Sequence, residues 1–552
     1  MKLKVLSFLP AATLSVCQLQ AQATERPNII VILADDMGYS DIGCFGSEIK
    51  TPNLDRLSSE GVRMTQFYNA ARSCPSRAAL LTGLYPHQVG VGDMLQPGDD
   101  LPAYQTQIDL NSVTLAEVLK SAGYSTFISG KWHVGWTEGS SPMDRGFEKQ
   151  YGSSDNTTGH YFGIQKGRRF TVEGKDSVPP GEWITTNTTA YKLMKNEDGS
   201  QWYATDAYTD RAIKYINEQK ATLADKPFFL YLAYTAPHWP LHAFESDIEK
   251  YKGKYMNGGW DSLRINRYNR MIEMGIVDKN WPLSERHNIV PAWNTLTEKE
   301  KIRWDHWMAV YAAMIDRMDQ NIGRLLENLR QNGYDKNTKI LFLSDNGGCH
   351  EPARKGDPNA VPGSPHSFEG YDYHWANASN TPFRQFKHWA HEGGISSPFI
   401  AWYPEKFKSG VISRQMAHIT DIMPTLVDVA NTSYPKQYKE NTILPLEGQS
   451  LLPIFEGKKS KTRKVLYWEH EGNRAVRMGK WKLVSQYEDK TDTTYPWELY
   501  DIENDRSELN NLIEKHPGIA RKMTKMYNKW SSKNQVVPYS ELRKRRDAKQ
   551  QK

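Results

Sequence analysis

Four short runs constrain this chain more than anything else in it: NIIVILADDMG (28–38), YSTFISGKWH (124–133), KPFFLYLAYTAPH (226–238) and KILFLSDNGG (339–348). Each is an apolar, β-rich segment with almost no polar alternation, and each stops abruptly at charged or imidazole residues. Strands of that kind are buried on both faces, which requires a parallel sheet covered by helices on each side. The segments between them agree. Thr51-Pro52 opens a helix closing at Gly61, and Thr114 with Glu117 forms a capping box for a helix ending at Gly123, just before a strand over Tyr124–Ile128. The longest periodic stretch, Trp304–Asn332, ends at Gly333 and leads into a strand over Lys339–Leu343. Helix, glycine, strand is the grammar of an α/β fold.

In such a sheet, ligands bind beyond the carboxyl ends of the strands. Those ends carry Asp35 and Asp36, Lys131 and His133, His238, and Asp345 and Asn346. Singly, an aspartate after a strand caps a turn and a lone histidine or lysine is solvated. Four such clusters at equivalent positions point to one site. Asp35, Asp36, Asp345 and Asn346 offer only oxygen, which suits calcium or magnesium and does not suit zinc. A cation ringed by lysines and histidines is a site for an oxyanion ester, and phosphate and sulfate esters both fit.

Composition sets the remaining bounds. With 552 residues, 24% charged and 39% hydrophobic, the chain is globular and large enough for more than one packed unit, so disorder and fibre are excluded. Residues 1–23 combine two lysines, an apolar run and Ala21-Gln22-Ala23, the pattern of a secretory signal cleaved before Thr24; Val16 before Cys17 argues against lipid attachment. No other stretch approaches the ~20 apolar residues of a membrane span. Losing Lys2 and Lys4 leaves 68 basic against 64 acidic residues, a balance that gives no nucleic-acid footprint. The terminal RKRRDAKQQK is expected to be a solvated, frayed tail. Cys44, Cys74 and Cys349 are too few for a disulfide framework.

The stretch RSCPSRAALLTG (72–83) identifies the chemistry. It resembles, position for position, the signature of the type I sulfatases, with Ser73, Pro75, Ser76, Arg77, Leu81, Thr82 and Gly83 at the fixed places. The resemblance places the modified residue at Ser73 and leaves Cys74 variable. It implies a serine-type enzyme whose Ser73 is oxidised to Cα-formylglycine by a radical maturase. A hydrated aldehyde has two hydroxyls on one carbon, one to attack sulfur and one to expel sulfate, so a hard step becomes two easier ones.

The resemblance extends over nearly the whole mature chain. It implies an alkaline phosphatase-like α/β fold, a large mostly parallel sheet sandwiched by helices, with a smaller C-terminal domain of antiparallel sheet and helix. It also implies one Ca2+ held by Asp35, Asp36, Ser73, Asp345 and Asn346. Arg77 matches the arginine that steadies the aldehyde, and Lys131 with His133 the pair whose histidine triggers sulfate release. His238 and Lys387, five residues before Glu392-Gly393-Gly394, match residues that bind sulfate and protonate the leaving oxygen. Asp345 is implied as base toward the attacking hydroxyl. Arg72, Trp239 and His242 are substrate-contact candidates by proximity in sequence, and His470–Arg474 and GYDYHWANAS (370–379) are candidate pocket loops. His87 and Cys44 read as packing residues.

The expected domains are a leader (1–23), a catalytic domain (24–459) and a C-terminal subdomain (460–552) with a four-stranded antiparallel sheet and a helix. The expected activity is exo-acting removal of O-sulfate from a sulfated glycan, with terminal sulfated galactose of mucin-type or other host glycans first in line. The expected location is the periplasm or cell surface of a Gram-negative bacterium. Three alternatives stay open: a phosphodiesterase or phosphonate hydrolase of the same superfamily, a two-metal phosphatase or phosphomutase, which would need more His and Asp ligands, and a glycan-binding pseudoenzyme with unmatured Ser73.

Overall fold

The computed structural model describes residues 26–550 apart from 96–100, 136, 156–158, 187–188 and 462, so the expected leader lies outside the described residues. The four diagnostic runs become neighbouring strands. Thr338–Ser344, Asn28–Ala34, Phe228–Ala233 and Ser125–Gly130 lie side by side and parallel, with Lys149–Ser153 continuing the parallel order. Ser396–Trp402 adds antiparallel to Thr338–Ser344, and Val62–Tyr68 antiparallel to that, within an 11-stranded sheet.

Burial on both faces is literal. Ile30, Ile32 and Ala34 enter one hydrophobic cluster with the helices Ala204–Thr222 and Glu298–Gln331. Ile29, Val31 and Leu33 enter another with the helices Ser73–Thr82, Leu115–Ser121 and Ile422–Val429. Each such aliphatic side chain contributes roughly 1.5–3 kcal/mol on leaving water, which is why these strands read as unbroken apolar runs. The capping box forms as expected: Glu117 N–H donates to Thr114 Oγ1 at 3.2 Å and Thr114 N–H to Glu117 Oε2 at 2.8 Å. The long helix starts at Glu298, earlier than its apolar periodicity suggests, because Thr297 and Glu300 form a second capping box.

The C-terminal sheet is antiparallel and four-stranded, Val465–His470, Asn473–Met478, Trp481–Ser485 and Glu498–Asp501, and the amphipathic helix Pro517–Lys533 lays Met523, Tyr527 and Trp530 on it. Buried charges join this sheet to the rest of the molecule. Lys482 meets Glu392 at 2.9 Å and Glu508 at 2.7 Å, and Arg506 meets Glu392 at 2.7 Å, every side chain fully buried.

Two expectations are corrected. The terminal stretch is a helix, Tyr539–Gln550, and is not frayed: Leu542 packs against Tyr104, and Arg546 reaches Asp93 at 2.6 Å. The segment 370–379 neither shapes the pocket nor forms a long loop. It forms the helix Asp372–Ser379, whose Trp375 is buried against Trp260 in the core. Cys44, Cys74 and Cys349 are free and buried, and no helix among the described residues is long and apolar enough to cross a membrane.

Candidate active site

Ser73 is the first residue of a ten-residue helix, every residue of which is buried. Arg72 enters it in an extended conformation, the Ser76 hydroxyl accepts the Ala70 N–H at 2.9 Å to hold the turn, and Gly83 ends it at φ +73°. A side chain at position 83 would strain the backbone and meet Leu446 and Met423 at 2.7 Å. The signature is therefore a buried helix with a serine at its positive end, where an anion is favoured.

Around Ser73 stand the strand ends. Its hydroxyl lies 3.2 Å from Asp35 Oδ1 and 3.3 Å from Asn346 Oδ1. Asn346 Nδ2 donates to Asp36 Oδ1 at 2.7 Å, and Asp36 N–H donates to Asp345 Oδ1 at 3.2 Å. Arg77 grips Asp345 Oδ2 through Nε at 3.1 Å and Nη2 at 2.9 Å. Lys131 meets Asp35 at 2.7 Å; Lys387 meets Asp36 at 2.9 Å and lies 3.4 Å from His238 Nε2. Asp36 and His133 both adopt left-handed φ, 67° and 60°, a strain that persists only where the surroundings enforce it. Asp345 takes the arginine, whereas the Ser73 hydroxyl rests on Asp35 and Asn346.

The electrostatics follow from burying many charges together. Burial would raise Asp35, but Lys131, His238 and Arg77 outweigh it and hold the carboxyl well below its usual range. Asp345 is pushed up to about 7 by burial and by the charge of Asp35. Burial, reinforced by Lys131 and Arg77, keeps His133 well below the ordinary imidazole value, and burial lowers His238. Burial would also lower Lys387, but Asp36, Cys349 and Glu351 together outweigh it and raise it. The cluster thus holds carboxylates for a cation, neutral imidazoles and a lysine in its charged, proton-bearing form. The oxygen-only donors around Ser73 fit calcium by their chemistry.

Ser73, Lys131, His133, His238 and Lys387 line a cavity of about 170 Å3, with Asp35, Asp36, Asp345, Asn346 and Arg77 buried behind them. Its walls include Arg72 and Trp239, as expected from sequence, and also Gln165, Arg168, Tyr191, Lys355 and Phe368, which sequence reasoning missed. Gln165 and Tyr191 come from a separate four-stranded antiparallel sheet inserted between the main strands. Glu351 was missed as well. It pairs with Arg72 at 2.8 Å, accepts from Trp239 Nε1 at 2.8 Å and stands 3.8 Å from Lys387. The only signal for it was its position shortly after DNGG. Cys74, next to Ser73, has its Sγ 3.1 Å from His133 Nε2, and burial lifts the thiol to about 11.

His242 is not brought to the cavity. It is fully buried, Nε2–H donating to Ser367 O at 2.7 Å, Nδ1 accepting from Tyr161 N–H at 3.4 Å, its ring 4.3 Å from that of His160. The turn at His470 is likewise absent from the cavity lining. His87 packs between Tyr104 and Trp530, as a core histidine would.

Residues 27–432 match the family model "Sulfatase", and 383–535 match "N-sulphoglucosamine sulphohydrolase, C-terminal". The chain is 33% identical to an uncharacterised sulfatase of Schizosaccharomyces pombe, over 93% of this chain and 95% of that protein. It is 35% identical to the arylsulfatase of Klebsiella aerogenes, over 79% of this chain and 94% of that enzyme. It is 28% identical to the N-acetylglucosamine-6-O-sulfatase of Bacteroides thetaiotaomicron, over 92% and 87%. Among solved structures, Ps i-CgsB in complex with k-i-k-neocarrahexaose superposes with a TM-score of 0.64 at 27% identity, covering 92% of this chain and 93% of that one.

Proposed function

This chain belongs to the sulfatase family of sulfate-ester hydrolases, and on that footing we propose that it removes O-sulfate from the terminal sugar of a sulfated glycan. The observation that carries the reading is the convergence of Ser73, Lys131, His133, His238 and Lys387 on the lining of one small cavity, with Arg77 and four oxygen donors buried against them.

Calcium bound by Asp35, Asp36, Asp345, Asn346 and residue 73 would supply positive charge against the sulfate oxygens and acidify a hydroxyl beside it. Conversion of Ser73 to formylglycine by a radical maturase would supply the paired hydroxyls that serine lacks. The chain's own residues do the rest. Lys131, Lys387 and the N-terminus of the Ser73 helix bind the sulfate. Arg77 holds Asp345 in place. His133, neutral because it is buried, accepts the proton whose loss expels sulfate. Lys387, kept charged by Asp36 together with its other neighbours, Glu351 among them, donates a proton to the leaving oxygen beside His238.

The small cavity favours a single terminal sugar over a long polyanion, with Trp239 as a face for it and Arg72 as a polar contact. The names of relatives point to hexosamine sulfates: several mammalian ones are N-acetylgalactosamine-6-sulfatases. A galactose-configured sugar, as in mucin-type glycans, is therefore the first candidate, and an exported enzyme at the periplasm or cell surface is the setting in which such glycans are met. The test is a screen of the matured, calcium-loaded enzyme against regiodefined sulfated monosaccharides and short glycans, with phosphate diesters in parallel. The expected result is free sulfate from one sugar at one position. Faster cleavage of a phosphate diester, or no sulfate from any sugar with formylglycine verified, would overturn the proposal.

A further inference from the structure

A second cluster of ligand-type side chains lies outside the catalytic floor. The turn joining Val465–His470 to Asn473–Met478 carries His470 and Glu471, and it faces His388, the residue after Lys387. His388 Nδ1 is 2.7 Å from Glu471 Oε2, and His470 Nε2 is 3.7 Å from Glu471 Oε1. One ligand atom from each of the three residues falls within 4.8 Å of the others. Asn473 Nδ2 donates to His388 Nε2 at 3.0 Å, which turns Nδ1 toward Glu471.

His470 is the telling member. It is 1% exposed, and neither ring nitrogen makes a hydrogen bond. Among the described residues it is the one histidine with both nitrogens buried and unpartnered. Buried imidazoles are ordinarily satisfied, because leaving one orphaned costs its full desolvation. Nε2 points toward Glu471, and Nδ1 stands 4.0 Å from Asp93 Oδ1, whose other oxygen is held by Arg546 at 2.6 Å. A carboxylate behind the second nitrogen of a histidine is the arrangement that orients metal-binding imidazoles.

We propose that His388 Nδ1, His470 Nε2 and the Glu471 carboxylate bind one divalent transition-metal ion of the zinc class, with Asp93 orienting His470. Two imidazoles and a carboxylate with an open position suit that class and not calcium, which takes oxygen ligands. On binding, the single proton of neutral His388 moves from Nδ1 to Nε2, where the Asn473 side chain turns its oxygen to accept it, and His470 keeps its proton on the Nδ1 facing Asp93. The ion ties the C-terminal hairpin to the loop that carries Lys387.

The test is a zinc titration of the full chain, stripped of metals and then saturated with calcium so that the oxygen site is filled. It is followed by calorimetry and by anomalous diffraction at the zinc edge. The expected result is one zinc per chain with an anomalous peak among His388, His470 and Glu471, and a zinc-dependent rise in Tm. His470→Gln and Glu471→Gln are expected to weaken zinc binding about 100-fold or more. No zinc binding in the wild-type chain overturns the proposal, and so does a peak only at Asp35, Asp36 and His238. Undiminished zinc affinity in a His470→Gln variant with a native circular dichroism spectrum also overturns it.

Discussion

Replacing Lys482 by Met tests how the C-terminal sheet is held against the rest of the molecule. The ammonium sits between Glu392 at 2.9 Å and Glu508 at 2.7 Å, with all three side chains inaccessible to solvent. Met fills nearly the same volume, so the perturbation is one of charge. Burial by itself would raise the Glu392 carboxyl, but Lys482 and Arg506 outweigh it and hold it at about 2. Removing one partner of a buried pair costs about 3–5 kcal/mol, because it leaves a desolvated charge uncompensated. That is a large share of the roughly 5–15 kcal/mol of a typical fold. Urea unfolding followed by tryptophan fluorescence reads the loss. A folded value near 2, below the ordinary 4.5, means the pair's contribution is complete above pH 4.5 and fades as pH falls through about 2. The gap between wild type and Lys482→Met should therefore be widest at pH 7 and narrow in acid. Adding Glu508→Gln should recover part of it. A loss under about 1 kcal/mol at pH 7, of the size seen for surface pairs, would refute the reasoning.

Two further substitutions bear on other parts of the account. Lys339 is buried between Tyr403 and Phe407, and burial drops its amine from 10.5 to about 8; the unfolded chain binds the extra proton between those values, so stability rises with pH across them. Lys339→Met should raise stability at pH 7, with a ceiling of about 3 kcal/mol, and the gain should vanish above pH 10.5; a pH-independent effect in urea titrations would contradict this. Trp239 lines the cavity and is pinned by Glu351. Trp239→Ala should lower kcat/KM on a glycan about 10–100-fold through KM, and an unchanged KM would remove Trp239 from the sugar subsite.

Much of this was legible in the sequence, and the pattern of what was not has physical causes. The apolar runs had to be strands buried on both faces, and parallel order had to bring their charged ends together. The pattern alone thus brings Asp35, Lys131, His238 and Asp345 to one edge of the sheet. His242 shows the limit of sequence proximity: past Pro240, Leu241 N–H bonds to Glu369 O and carries the next side chain behind the wall. The walls themselves were hidden because Gln165, Tyr191 and Lys355 sit on short segments without a clear apolar period, placed by pairing with other strands and loops. The terminal helix was hidden because a charge-rich stretch is anchored by one buried leucine and one arginine.

The central claim, that residue 73 reacts only after oxidation, is tested most directly by measuring intact mass and sulfate release on the same preparations. Formylglycine makes the chain ~2 Da lighter than its serine form, before hydration. The account predicts that sulfate release scales with the lighter fraction across preparations made with and without a maturase, and that Ser73→Ala binds glycan without turnover. Equal turnover from chains carrying unmodified Ser73, or from Ser73→Ala, would contradict it.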